Sequence, residues 1–224
     1  MSEDIRSRII AGEFPTGHRL PSERELGEQY GLGRASVREA LRALEAQGLV
    51  HTIQGRGGGS VVKVPAADSI EQSIELFMHG QQINFDTVIE TREFIEPIVA
   101  RLAARRREDS DLYELGRTHA LLQANEDRPE NFLEANVAWH LAVAHASHNP
   151  LLIAFMSAIS RAVHRGTTAE GFNSLETRRA TIRAHEKIVE AIVKRDEDAA
   201  CRRMERHVFA YAETAEQLSV PTPS

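Results

Sequence analysis

The chain of 224 residues has one cysteine, Cys201, and few aromatic side chains, which make up 5% of the sequence. One cysteine cannot form an internal disulfide, so a reducing cytoplasm is the expected compartment. The sequence lacks a run of about 18 apolar residues that could cross a membrane. Its charged start, MSEDIRSRII, does not have the pattern of a signal peptide. These absences predict a cytoplasmic protein without a membrane partner.

An excess of positive charge is also lacking, because the formal net charge is −6. The balance is uneven along the chain. Residues 1–64 hold 9 Lys+Arg and 8 Asp+Glu, whereas residues 65–224 hold 18 and 25. A surface that binds nucleic acid is therefore expected only in the first 64 residues, and it should be local.

The first 64 residues show the order helix, helix, turn, helix, hairpin. Ser22 begins an S-x-x-E capping box, and Gly31 ends the helix that follows it. Gly33 stands at the N-cap of the next helix, and two β-branched runs then flank the segment QGRGGG. This order predicts a winged helix-turn-helix domain over residues 1–64, with a small β-hairpin as the wing.

Residues 65–68 have the composition of a linker, and the chain from 69 to 218 has helical periodicity throughout. We expect helices over 69–80, 85–106, 109–126, 130–147, 150–165, 176–194 and 196–217. The second of these should bury one face, with Val88, Phe94, Ile95, Val99, Leu102 and Ala103. The arginines towards the end of this segment, Arg101 and Arg105 to Arg107, should be solvated. The fold class is therefore mostly α, with a C-terminal all-α antiparallel bundle.

Three arginines, Arg34, Arg38 and Arg42, are spaced four residues apart and so share one face of the predicted third helix. The second helix of a helix-turn-helix lies in the major groove of DNA, with its N-terminal residues near the base edges. Arginine can form two hydrogen bonds to one guanine, and the hydroxyl of Ser36 suits phosphate oxygens. In isolation the same stripe fits a solvated charged face, but the preceding helix, the turn and the glycine-rich hairpin favour DNA.

The segment LPSERELGEQYGLGRASVREALRALEAQGLV, followed by the QGRG wing, resembles the DNA-binding domain of GntR-family bacterial transcription regulators. The resemblance implies a homodimer on a pseudo-palindromic operator in double-stranded DNA. It implies these DNA contacts: Arg24, Gly33, Arg34, Ala35, Ser36, Arg38, Gln54 and Gly55. Gly33 and Ala35 stand where the family usually has hydroxyl residues, and GRGGGSVV replaces the usual GRGTFV. These departures concern the choice of operator sequence more than the ability to bind DNA.

Three histidines of the helical region have an unusual setting. His140 follows Asn136 by four residues, so both project from one helix face, while His185 and His207 lie beside apolar stripes. A helical histidine is more often a surface or satisfied core residue than a ligand. Three helices that each offer an imidazole, with one amide oxygen, could also surround a metal ion. Spacing alone leaves both interpretations open.

Residues 70–217 resemble the FCD domain of the FadR subfamily of GntR regulators, an all-helical effector-binding bundle. Metal-binding members show D-x-x-x-H and two later histidines, an order that Asn136, His140, His185 and His207 match, with asparagine in place of aspartate. The resemblance implies a divalent metal, zinc in the first place and nickel or manganese as alternatives. It also implies that Arg92 binds the carboxylate of a small organic acid. By pattern alone, Arg92 equally fits an ion pair with Glu96 on an exposed helix face.

The predicted function is therefore a ligand-responsive transcription regulator without catalytic residues, whether repressor or activator. In one alternative, the histidine site of the same regulator is purely structural or senses the metal itself. A remote alternative is a metal-dependent hydrolase. Against it, the only carboxylate beside the histidines in the sequence is Glu186, which the helix turns to another side, and no nucleophile or phosphate-binding motif is present.

Overall fold

The structure is a computed structural model that describes residues 1–53, 55, 58–63, 67–166 and 174–219. The chain forms two compact units, Met1–Ile70 and Glu71–Ser224. Of the predicted linker, residues 65 and 66 lie outside the described residues, and residues 67 and 68 already belong to a helix. Within the described ranges, no helix has both the length and the apolar character needed to cross a membrane.

The first unit contains the helices α1 (Ser2–Ile10), α2 (Glu23–Tyr30) and α3 (Arg34–Ala46). The predicted capping box is present at the start of α2, where the Ser22 side chain accepts from the Glu25 backbone and the Glu25 carboxylate accepts from the Ser22 backbone. Gly31 closes α2 in the left-handed conformation, with φ 64°. These local signals place the turn between α2 and α3 where the sequence predicts it.

The wing is an antiparallel pair of strands, β1 (Val50–Ile53) and β2 (Gly59–Val62). Val50 pairs with Val62 and Ile53 pairs with Gly59. The segment before α2 runs along the other edge of β2, because the backbone of Leu20 donates to Ser60 at 2.9 Å. This contact ties the wing to the helix-turn-helix, whose core includes Ile5, Leu20, Leu26, Val37, Leu41 and Leu44.

Within the described residues of the second unit, every regular element is a helix. The helices are α4 (Ala67–Gly80), whose first four residues belong to the first unit, α5 (Phe85–Arg106), α6 (Asp109–Ala124), α7 (Pro129–Ala146), α8 (Pro150–Gly166), α9 (Leu175–Val193) and α10 (Glu197–Ser219). α5 lies at the centre and packs against α7, α8, α9 and α10. The predicted fold class is therefore confirmed, with helix ends shifted by one or two residues.

The expected apolar face of α5 is correct only in part. Val88, Val99 and Ala103 are buried, but Phe94 is 72% exposed. At 100° per residue, Phe94 lies about 120° around the helix from Val88, which turns it away from the core. The buried face follows the spacing 88, 92, 96, 99 and 103, and it therefore includes two charged residues, Arg92 and Glu96.

The sequence predicted that Arg101 and Arg105 to Arg107 are solvated. In the structure these four arginines also make contacts within the protein. Arg101 pairs with Asp198 and Arg105 with Glu197 at the start of α10. Arg106 and Arg107 donate to the backbone carbonyls of residues 147 and 193. These contacts join the C-terminal end of α5 to the ends of its neighbours.

Candidate functional site

The start of α3 presents an exposed polar surface. Arg34, Ala35 and Ser36 are exposed, while Val37 is completely buried in the core of the first unit. Gly33 is the N-cap and lacks a side chain that could accept from the first turn. Free backbone N–H groups at a helix N-terminus favour anions such as phosphate. The helix therefore separates a core face from a face that can contact DNA.

The predicted DNA-contacting arginines differ in their present partners. Arg38 Nε lies 2.8 Å from a carboxylate oxygen of Glu23, and Arg24 makes a similar contact of 3.0 Å with Glu28. Arg34 has no ion pair among the described residues. Arg38 and Arg24 would have to exchange a carboxylate for phosphate or a base edge, whereas Arg34 would not.

The wing turn depends on a glycine. A Cβ atom at Gly58 would lie 2.1 Å from the carbonyl oxygen of Ile53, and the Gly58 backbone donates to Gly55 at 2.8 Å. The guanidinium of Arg19 donates to the carbonyl of Gly58 at 3.0 Å. Gly55, a predicted DNA contact, is exposed with φ 104°. Gln54, the other wing residue predicted to contact DNA, lies outside the described residues.

In the second unit, three helices bring their histidines together. His140 comes from α7, His185 from α9 and His207 from α10, and one ring nitrogen of each lies within 4.8 Å of the other two. His185 is completely buried, His140 is nearly so, and His207 is half-buried. The family resemblance predicted this grouping, and the structure places the three imidazoles around one point.

The histidine cluster is packed tightly. The Nε2 atoms of His185 and His207 lie 3.0 Å apart, and the ring of Trp139 stacks on His185 with centroids 3.5 Å apart. Burial lowers the pKa of His185 well below its usual value, and His207 and His140 lower it further. Burial, His140 and Arg92 lower the pKa of His207 to about 3. Both imidazoles are therefore neutral at pH 7, the form in which histidine binds metal.

A carboxylate that the sequence analysis did not place at the site lies beside His140. Glu96 Oε2 approaches His140 Nδ1 to 2.6 Å, although the angle is outside hydrogen-bond geometry, and Glu96 also pairs with Arg92. Burial alone would raise the pKa of Glu96, but the charge of Arg92 and the contact with His140 lower it well below the usual range. A carboxylate at Nδ1 favours a proton on that atom and leaves the lone pair on Nε2, which faces the guanidinium of Arg92.

The ion pair expected for Arg92 is present, but not on an exposed face. Arg92 pairs with Glu96 on the buried face of α5, where it is 4% exposed. One guanidinium nitrogen lies 3.4 Å from His140 Nε2, and the guanidinium faces the ring of Tyr211 at 5.1 Å. Arg92 therefore adjoins the histidine cluster, and a carboxylate at the cluster would meet both its charge and its donors.

The side chain of Asn136 lies beside Arg92 and His140. Its side-chain oxygen is buried and has no hydrogen-bond partner among the described residues, and Asn136 lines a cavity of about 10 Å³ together with Arg92, Glu96, His140 and Ser160. An unsatisfied buried acceptor is unfavourable unless something donates to it or coordinates it. Three imidazoles and a buried amide oxygen fit a divalent cation, for which nitrogen and oxygen are ordinary ligands.

Comparison with protein families identifies both units. The model described as "Bacterial regulatory proteins, gntR family" matches residues 2–59, and the model described as "FCD domain" matches residues 87–210. The latter covers more than half of the chain and contains every residue of the histidine cluster.

Curated relatives match over nearly the whole chain. The chain is 32% identical over 207 residues to an uncharacterized HTH-type transcriptional regulator, YieP, of Escherichia coli K12, covering 89% of this chain and 87% of that protein. It is 31% identical to the transcriptional repressor NanR of Cronobacter sakazakii, covering 98% and 85%. It is 29% identical to the Glc operon transcriptional activator of Escherichia coli K12, covering 93% and 84%.

Solved structures share the fold. A GntR protein of Streptococcus agalactiae aligns with a TM-score of 0.61 at 22% identity, covering 95% of this chain and 97% of that one. McbR/YncC of E. coli aligns with a TM-score of 0.54 at 20% identity, covering 98% and 96%. At these identities the likeness supports the architecture alone.

Proposed function

Since the chain belongs to the GntR family of transcription regulators and carries an FCD domain, we propose that a small organic acid bound in its helical unit controls operator binding. The observation that carries this proposal is the meeting of His140, His185 and His207 beside a buried arginine. A site of this kind has charge and donors suited to a carboxylate. The protein would act in the bacterial cytoplasm, where its operator lies.

The DNA-binding part of the proposal rests on the exposed start of α3. Arg34 and Arg38 are the residues that reach base edges, while Arg24, Ser36, the backbone at Gly33 and Ala35, and the wing at Gln54 and Gly55 position the domain on the duplex. Two copies related by a two-fold axis would read the two halves of a pseudo-palindromic operator. Sedimentation of the full chain with and without operator would test the homodimer.

The metal part of the proposal rests on the four ligand atoms. His140, His185 and His207 would each give one nitrogen and Asn136 its oxygen to zinc or, as alternatives, nickel or manganese. When bound, the metal supplies positive charge that attracts a carboxylate. Arg92 orients that carboxylate, and Glu96 keeps both Arg92 and His140 in place.

Effector binding can change operator affinity only if the acid has different affinities for the DNA-bound and DNA-free conformations. The experiment that tests this is operator binding, measured with the full chain on DNA selected from a random pool. Zinc and a panel of small organic acids are added separately and together. We expect at least one acid to change operator affinity only when zinc is present.

Variants of the protein, tested in the same experiment, show which residues read the operator and which respond to zinc and acid. Arg34→Ala with Arg38→Ala should abolish sequence-specific binding, while Arg42→Ala on the same helix serves as the control. His140→Gln should remove the response to zinc and acid, with the exposed His145→Gln on α7 as its control. A change in operator affinity with zinc alone would instead favour a metal sensor. Retained specificity in the double arginine variant would refute the recognition assignment.

A further inference from the structure

A groove of about 750 Å³ runs between α9 and α10. We call it the α9–α10 groove. Its lining includes the small side chains of Ala180, Ala184 and Ala210 and the hydroxyl-bearing side chains of Thr177 and Thr181. This volume lies within the range of small-molecule sites and is far larger than a two- or three-carbon acid requires.

The walls of the α9–α10 groove are positively charged. α9 contributes Arg183 and Lys187 at i and i+4, α10 contributes Arg203 and Arg206, and Glu176 is the single acidic residue among the lining residues that the structure describes. The surrounding sequence has the opposite balance, with 18 Lys+Arg and 25 Asp+Glu in residues 65–224. The groove is therefore a local concentration of cations on an acidic unit, which favours an anionic ligand.

Two of these cations have no side-chain partner within the described part of the chain. Arg203 donates to the backbone carbonyl of Lys187 and lies 3.6 Å from Glu190, so it is already engaged. Arg183 and Lys187, by contrast, form no ion pair among the residues that the structure describes. Like charges at i and i+4 on a helix repel each other. An anion between them would relieve this repulsion.

The α9–α10 groove also reaches the histidine cluster. His207 and Tyr211 line the groove. On the cluster side, His207 contacts His185, and Tyr211 faces the guanidinium of Arg92. The cavity beside Arg92 and Asn136 holds only about 10 Å³, roughly the space of one water molecule. The groove therefore adjoins the cluster through His207 and Tyr211 and is much larger than the cavity on the other side.

We propose that the α9–α10 groove binds a second anionic group of the effector, so that the effector is an acid with at least two anionic groups. This inference rests on the proposed function, in which one carboxylate meets the histidine cluster. The second group contacts Arg183 and Lys187, with Arg206 on the opposite wall. His207 stands between the two anionic groups.

The test compares two series of acids by calorimetry on the zinc-loaded full chain. One series is acetate, propionate, butyrate and valerate, and the other is malonate, succinate, glutarate and adipate. At least one dicarboxylate should bind about threefold to tenfold more tightly than its monocarboxylate counterpart, the range expected for partly exposed ion pairs. The advantage should shrink between 50 and 500 mM NaCl, at roughly the ionic strengths where screening becomes strong.

The variant Arg183→Gln with Lys187→Gln should lose the dicarboxylate advantage and keep monocarboxylate affinity. The matched control, Arg117→Gln with Arg128→Gln, removes two exposed cations that lie outside the groove lining and should behave as the wild type. If acids bind but the two series are equal, or if the groove variant keeps the advantage, the groove inference is wrong and the proposed function stands. If neither series binds and neither changes operator affinity, both are wrong.

Discussion

Glu96 Oε2 lies 2.6 Å from His140 Nδ1, and the same carboxylate pairs with Arg92 one turn earlier on α5. Glu96 is 1% exposed, so its charge is compensated by these neighbours rather than by water. One buried carboxylate therefore fixes the orientation of a candidate metal ligand and of the arginine proposed to hold the effector.

Replacing Glu96 with glutamine should destabilise the second unit by about 3–5 kcal/mol, because removal of one partner leaves the buried charge of Arg92 uncompensated. Urea denaturation of metal-free protein, followed by helical circular dichroism, measures the change. Glu114→Gln is the control, because it breaks an exposed pair with Arg117 and should cost less than about 1 kcal/mol. Equal effects of the two substitutions would show that the buried pair contributes no special stability.

The sequence could predict the helices because their signals are local. Ser22 and Gly31 mark the ends of α2 through caps that involve residues only three or four apart. The stack of Trp139 on His185 and the contact of Glu96 with His140 join different helices. Such contacts depend on how helices pack, which periodicity does not determine.

The histidine cluster likewise combines residues that could be predicted with contacts that could not. The family resemblance predicted which four side chains belong together, but it did not predict a carboxylate behind His140. A signal for Glu96 was available in its spacing of four from Arg92 and three from Val99, which places it on the buried face of α5. A charged pair on an otherwise apolar helix face indicates that the groups interacting with this pair lie inside the helical bundle.

Replacing Asn136 with aspartate should tighten zinc binding, because a carboxylate attracts a divalent cation more strongly than a neutral amide does. We expect a gain on the order of tenfold, comparable with other single changes around metal sites. Competition with a chromogenic chelator measures the affinity. His145→Gln should leave it unchanged, and an Asn136→Asp protein with the wild-type zinc affinity would remove Asn136 from the ligand set.

Arg34→Ala should weaken binding to the selected operator by about 1–3 kcal/mol and relax specificity at one base pair, as expected for a lost bidentate contact. Arg42→Ala removes the same charge two turns further along α3 and should weaken all DNA sequences alike. Fluorescence anisotropy on the operator and on a scrambled duplex separates the two effects. If both variants lose affinity equally on both duplexes, Arg34 contacts phosphate only.

Gly58→Ala should lower operator affinity without unfolding the first unit. The new Cβ would lie 2.1 Å from the carbonyl oxygen of Ile53, so the wing turn has to shift. The helix-turn-helix core would remain, since Gly58 is not part of the cluster that contains Val37, Leu41 and Leu44. Gly116→Ala on α6, where a Cβ meets open space, is the control for the loss of a glycine away from the DNA-contacting surface. Anisotropy and thermal melting of both variants measure the effect, and unchanged operator affinity in Gly58→Ala would show that the wing does not contribute to binding.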